Sequence, residues 1–145
     1  MTDSWQYAAP FIMPISVGKA SIDVLGHVNN TEYVNWSQDA AWAHSKALGI
    51  DVTDYPRMDR AMVIREARYT YLAAAFEDDH LEVGTWLTAS DGRLLMTREF
   101  EIRRIRDNAR LFTGRWELVC VRVSDGKPVR MPSEFLACYE PAVLR

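Results

Sequence analysis

The sequence predicts an α+β fold: a short first strand, one long helix, then four antiparallel strands. Three observations predict it. Residues at near-helical spacing, Tyr33, Trp36, Ala40, Ala43 and Ala47, follow a capping signal at Asn29. Beyond residue 60 the apolar residues alternate with period two, and the acidic turn Glu77-Asp78-Asp79 and the pairs Asp91-Gly92, Asp107-Asn108 and Asp125-Gly126 divide them into strands. The length of 145 residues fits one domain spanning 1–145, and 48% hydrophobic with 26% charged residues is the composition of a packed globular chain. Collagen-like and disordered classes are excluded by that composition.

Each element has its own signal. Phe11–Val17 reads as the first strand. Asn29-Asn30-Thr31-Glu32 matches a capping box, with Asn29 bonding a free amide and Glu32 reaching back, and Leu48-Gly49 supplies the stop. Residues 51–59, with Pro56, read as a polar loop. Strands are expected over Ala61–Leu72, Leu81–Ala89, Leu94–Arg106 and Leu111–Val123. In the third of these, Phe100 and Ile102 share one face and Glu99, Glu101 and Arg103 the other. In the last, Val119, Val121 and Val123 lie opposite Leu118 and Cys120, so both faces of its end are apolar and one calls for cover by another subunit. Pro132–Tyr139 reads as a short closing helix. The five tryptophans are expected mostly in the core.

Charge and cysteine usage narrow the function. A net charge of −3 gives no global reason to bind nucleic acid. Residues 1–92 carry 6 Lys or Arg against 13 Asp or Glu, whereas residues 93–130 carry 10 against 5. That basic segment is either the solvent-facing row of amphipathic strands or an anion site. Cys120 and Cys138 lack metal-ligand spacing and make no disulfide framework. Neither a signal peptide nor an apolar run of membrane-spanning length is present, so the expected compartment is the cytoplasm, where the sequon at Asn29 stays unmodified.

The chemistry concentrates in Asp23-Val24-Leu25-Gly26-His27-Val28-Asn29-Asn30-Thr31-Glu32-Tyr33. A helix start offers unpaired amides and the positive end of a dipole, which together can hold a developing oxyanion. A carboxylate and an imidazole beside it can attack an acyl group or activate water. Taken singly, Asp23 fits an Asx-turn, His27 a cap or core group, and Asn29 an N-cap.

Taken together, Asp-x-x-Gly-His-Val-Asn-Asn-x-x-Tyr resembles the signature of hotdog-fold thioesterases of the 4-hydroxybenzoyl-CoA thioesterase type, including bacterial long-chain acyl-CoA and acyl-carrier-protein thioesterases. Tyr71-Leu72-Ala73-Ala74-Ala75 and the tail Asp125-Gly126-Lys127-Pro128-Val129-Arg130-Met131-Pro132 are similar to that family's second-to-third-strand junction and C-terminal segment. The resemblance implies an antiparallel sheet of five or six strands around one long helix, dimerised edge to edge or paired again into tetramers. It implies acyl-CoA or acyl-carrier-protein thioesters as substrates, no metal, and no cofactor beyond the coenzyme A of the substrate. It implies Asp23 as nucleophile or general base, His27 beside the thioester, amides around Val28, Asn29 and Asn30 as the oxyanion site, and Tyr33 lining the acyl pocket. Arg122, Lys127 and Arg130 stand in the basic segment as candidates for the CoA phosphates. Two features depart from the plant acyl-carrier-protein enzymes: Leu25 replaces an asparagine, and Ala74-Ala75 replace an acidic residue and a cysteine. The alternatives are a hotdog dehydratase or hydratase and a noncatalytic acyl-CoA binder.

Overall fold

The computed structural model describes residues 5–145. Its strands are β1 (Phe11–Ser16), β2 (Arg60–Tyr71), β3 (His80–Ser90), β4 (Leu95–Arg104) and β5 (Ala109–Arg122), and its helices are α1 (Asn30–Leu48), α2 (Asp54–Met58) and α3 (Ser133–Tyr139). They form one five-stranded antiparallel sheet in the order β1-β3-β4-β5-β2, with β1 and β2 at its edges. The register of the first pair runs from Phe11 opposite Thr85 to Ser16 opposite His80. No helix among the described residues is long and apolar enough to cross a membrane.

The expected strands are present with ends shifted by one or two residues. Helix α2 is a difference, since it lies within residues 51–59, a stretch whose composition reads as a polar loop, and Pro56 does not prevent it. The proline falls in the first turn, where a missing N–H costs nothing. The Asp54 carboxylate accepts from the Asp51 amide at 2.8 Å, and Arg57 pairs with Glu134 at 2.7 Å. The cap of α1 also differs in part. Asn29 Oδ1 accepts from the Thr31 amide at 3.1 Å, as an N-cap does. Glu32 does not reach back; its Oε1 accepts from the Ser21 hydroxyl at 2.6 Å.

Chain contacts divide the molecule into two compact units. The first comprises the chain through Ala41, Tyr69–Thr85 and Phe100–Gly114. Its core is aromatic: Tyr33 stacks on Phe112 with centroids 5.4 Å apart, and Trp36 and Tyr71 meet Tyr33 edge-on. Gly114 lets the rings approach closely: a Cβ there would lie 3.2 Å from the Tyr69 ring, which would have to shift. In the same unit Glu101 is fully buried, with Oε2 3.1 Å from Arg103 Nε and 3.2 Å from Arg110 Nε. The Arg103 guanidinium lies over the Trp5 ring at 5.5 Å.

The second unit comprises Trp42–Arg68, Trp86–Glu99 and Arg115–Arg145. Ile50, Trp86, Leu87, Phe135 and Tyr139 pack its core. Arg98 is also buried there, its Nη1 2.9 Å from His44 Nδ1, while Ser45 and Tyr55 hydroxyls reach the Tyr139 hydroxyl at 3.1 and 3.4 Å. Burial, aided by the Arg98 charge, lowers the His44 pKa to about 4.

Two expectations need correction. The charged residues of β4 are not a solvated row: Arg98, Glu99, Glu101, Arg103 and Arg104 are all buried. The sheet order explains this, because β4 is the central strand, and long ion-paired side chains cover its polar face. The apolar end of β5 is covered in part by its own chain. The Val129 amide donates to the Cys120 carbonyl at 3.0 Å, and Val121 bridges Pro128 and is buried. Val123 is exposed.

Candidate active site

The signature segment folds as a tight loop in front of α1, within the first unit. Ile22 and Val28 pair as an antiparallel bridge, closing the loop, and the Asp23 amide donates to the His27 carbonyl at 2.8 Å. The turn needs a left-handed residue, and Gly26 supplies it with φ of 81°. Asp23 Oδ1 accepts from the Leu25 amide at 2.9 Å and from the His27 amide at 3.4 Å, the geometry of an Asx-turn. Its Oδ2 has no hydrogen-bond partner among the described residues. One oxygen therefore shapes the loop and the other remains available for chemistry.

Behind the loop lies a cleft of about 240 Å³ lined by His27, Val28, Asn30, Tyr33, Tyr71 and the Leu72–Ala74 segment. The His27 ring packs edge-on against Phe76, with centroids 5.5 Å apart. Tyr33 is buried, and its hydroxyl oxygen accepts from the Ala75 amide at 3.1 Å. Burial raises the Tyr33 pKa above the usual phenol value, which keeps the phenol protonated.

The three amides expected at the oxyanion site differ in their commitments. That of Val28 donates to the Ala75 carbonyl at 2.9 Å, and that of Asn29 to the Ser21 carbonyl at 2.8 Å. The Asn30 amide, first in the helix and in the cleft, has no acceptor among the described residues. A helix of 19 residues directs its positive end there. Of the three, only Asn30 keeps a donor for a developing negative charge.

The structure thus brings His27, Val28, Asn30 and Tyr33 to one cleft. Asp23 lies in the adjoining loop, bonded to the His27 amide, and Asn29 acts as the cap. Arg122, Lys127 and Arg130 belong to the second unit. Arg122 pairs with Asp125 at 2.8 Å, and Asp125 also accepts from the Lys127 amide at 3.0 Å. The Lys127 and Arg130 side chains are exposed and form no ion pair among the described residues. No three His, Cys, Asp or Glu side chains converge as a metal site among the described residues.

Sequence reasoning missed the wall opposite the helix. Leu72 and Ala73 amides both donate to the Leu111 carbonyl, at 2.8 and 3.3 Å. Arg104 holds the end of that wall, with Nη1 donating to the Ala74 carbonyl at 3.0 Å and reaching Asp79 Oδ2 at 3.3 Å, while Nη2 meets Asp107 at 3.0 Å. The signal in the sequence was the basic residue at the end of a strand, but its target is set by strand pairing.

Residues 17–138 match the model of the thioesterase-like superfamily. No curated protein matches the sequence. Among solved structures, the 1,4-dihydroxy-2-naphthoyl-CoA thioesterase of Synechocystis is similar at 18% identity and a TM-score of 0.80, covering 90% of this chain and 96% of that one. A Staphylococcus aureus protein solved in complex with CoA is similar at 14% identity and a TM-score of 0.83, covering 99% and 91%. The 12:0-ACP thioesterase of Umbellularia californica is similar at 19% identity and a TM-score of 0.82, covering 93% of this chain and 51% of that one. These likenesses carry the hotdog fold, and the match over residues 17–138 carries the family: the chain belongs to the thioesterase-like superfamily of thioester hydrolases.

Proposed function

We propose that the protein hydrolyses acyl-CoA or acyl-carrier-protein thioesters to the free acid and thiol, using Asp23 as its catalytic carboxylate. The observation that carries this reading is the Asn30 amide at the head of α1, which has no acceptor among the described residues, in the same cleft as His27 and next to a carboxylate with one free oxygen. The thioester carbonyl oxygen accepts from the Asn30 amide, and the charge it gains in the tetrahedral state is stabilised by that N–H and the helix dipole. His27 orients the thioester or the water, and Tyr33 lines the acyl end of the cleft.

Two routes satisfy this arrangement. As nucleophile, Asp23 Oδ2 adds to the carbonyl carbon, the C–S bond breaks, the thiolate leaves, and water hydrolyses the mixed anhydride. As general base, Asp23 takes a proton from water as its oxygen adds to the carbonyl, and the proton leaves with the thiol. The CoA nucleotide is assigned to the exposed cations Lys127 and Arg130, and the working form to an assembly of identical subunits in the cytoplasm. Release of thiol, followed with a thiol reagent across acyl-CoAs of graded chain length, tests the reading. Turnover supports it, and binding without thiol release would make the protein an acyl-CoA binder.

A further inference from the structure

We propose that Glu32 is a positioning residue: through Ser21 it clamps the Asp23 loop to the first turn of α1, so that the Asp23 carboxylate and the Asn30 amide face one thioester. The inference rests on the thioesterase reading and adds the device that sets the distance between its two working groups.

Those groups come from different pieces of chain. The Asn30 amide opens the helix, and Asp23 stands in the loop before it. Val24, Leu25, Gly26 and His27 are exposed, so burial does not hold the tip of that loop. Its C-terminal end is anchored, because Val28 is buried and its amide donates to the Ala75 carbonyl at 2.9 Å. The N-terminal end, which carries Asp23, is tied down differently.

Ser21 makes that tie. In a capping box Glu32 would accept from the Asn29 amide. Here the Ser21 carbonyl takes that amide at 2.8 Å, and the Glu32 carboxylate takes the Ser21 hydroxyl at 2.6 Å. Ser21 therefore reaches the head of the helix twice. The carbonyl bond is open to any residue at position 21, whereas the hydroxyl–carboxylate bond depends on these two side chains. Its length is that of a charge-assisted O–H···O⁻ bond, roughly 2.5–2.7 Å. The second Glu32 oxygen accepts from Asn35 Nδ2 at 3.0 Å, so both ends of the carboxylate are aimed. From Ser21 the chain runs through Ile22, bridged to Val28, directly into Asp23.

Geometry of attack gives the clamp its consequence. Reacting atoms must stand about 3–3.5 Å apart, and a misplacement of about 1 Å can cost on the order of 10²-fold. A loop that drifts from the helix moves Asp23 away from a carbonyl polarised by Asn30. Such a change weakens the transition state and leaves ground-state binding of the substrate as it was.

Steady-state kinetics of thiol release and amide exchange test this together. Glu32→Ala should lower kcat by roughly tenfold to a hundredfold, with KM within about twofold of wild type. Glu32→Gln keeps an oxygen for the Ser21 hydroxyl and should recover most of the loss. Were negative charge at the helix start the whole of its role, Glu32→Gln would be as slow as Glu32→Ala. Ser21→Ala should match Glu32→Ala, and the double variant should be no slower than either, since both changes remove one bond. Hydrogen exchange of the Asn29 amide, which the Ser21 carbonyl protects, should rise at least about tenfold in Glu32→Ala and Ser21→Ala. Wild-type kcat in Glu32→Ala, Glu32→Gln as slow as Glu32→Ala, additive losses, or unchanged Asn29 exchange each overturns the clamp and leaves the thioesterase reading standing. Absence of thiol release from wild type overturns that reading instead, and the Asn29 exchange then decides the clamp by itself.

Discussion

The Ala75 amide donates to the Tyr33 hydroxyl across 3.1 Å, joining the first turns of α1 to the segment that closes the cleft from the other side. Tyr33 is 2% exposed, so neither partner can turn to water instead. The same ring stacks on Phe112 and is met edge-on by Trp36 and Tyr71. The hydroxyl fixes the wall and the ring fixes the core.

Tyr33→Phe keeps the ring and leaves the buried Ala75 N–H without an acceptor. The cost should be roughly 1–3 kcal/mol, the penalty of an unsatisfied buried donor. A urea titration checks it: the midpoint should fall with the slope unchanged. An unchanged midpoint would mean that Ala75 finds water there.

Arg104 should act through the wall it holds. Its guanidinium joins the Ala74 carbonyl to Asp79 and Asp107. Arg104→Met releases that segment, and misplacement of a substrate wall should lower kcat/KM by roughly tenfold to a hundredfold. Arg104→Lys restores one of these bonds and should recover part of the loss. Equal activity of the methionine variant and wild type would remove the wall from the mechanism.

Stability should fall in acid through His44. Its folded pKa is lowered to about 4, first by burial and then by the Arg98 charge. The unfolded imidazole binds its proton near pH 6.5, so between that value and about 4 the unfolded state holds the extra proton. The neutral-histidine contribution is therefore full above pH 6.5 and is lost as pH falls toward 4, amounting to roughly 3 kcal/mol. Denaturant midpoints of wild type and His44→Gln from pH 7 to 4 should converge by that amount, and parallel curves would contradict the assignment.

Much of this architecture was legible in the sequence, for local reasons. Asp91 and Gly92 make a turn by themselves: Asp91 Oδ1 accepts from the Arg93, Leu94 and Leu95 amides, and Gly92 takes a φ of 68°. Asn29 likewise caps the helix with its own side chain. What escaped was set by distant partners. Glu32 left the capping box for Ser21, and Glu101 and Arg103 were buried because β4 became the central strand. Alternation places charges on a face, but it does not say what covers that face. The site divides in the same way: the loop from Asp23 to Asn30 was readable, whereas the wall at Leu72–Ala74 depends on pairing to Leu111.

The exposed cations test the assignment of the nucleotide. Charge-assisted bonds to phosphate form equally in ground and transition states, so Arg130→Ala should raise KM for acyl-CoA with kcat nearly unchanged. The rise should shrink at high salt and vanish for a short acyl thioester without the nucleotide. Equal behaviour toward both substrates would return Arg130 to the solvated surface.

The central claim concerns Asp23, and Asp23→Asn addresses it with little structural disturbance. Asparagine keeps an oxygen for the Leu25 and His27 amides, so the Asx-turn and the loop should survive. It provides neither a nucleophilic oxygen nor a base. The kcat for thiol release from an acyl-CoA, measured on folded variant and wild type side by side, should fall by at least about 10²-fold, the lower end of what general-base catalysis contributes. Retention of more than about a tenth of the wild-type kcat, against that expected fall, would contradict the account and move the catalytic carboxylate elsewhere.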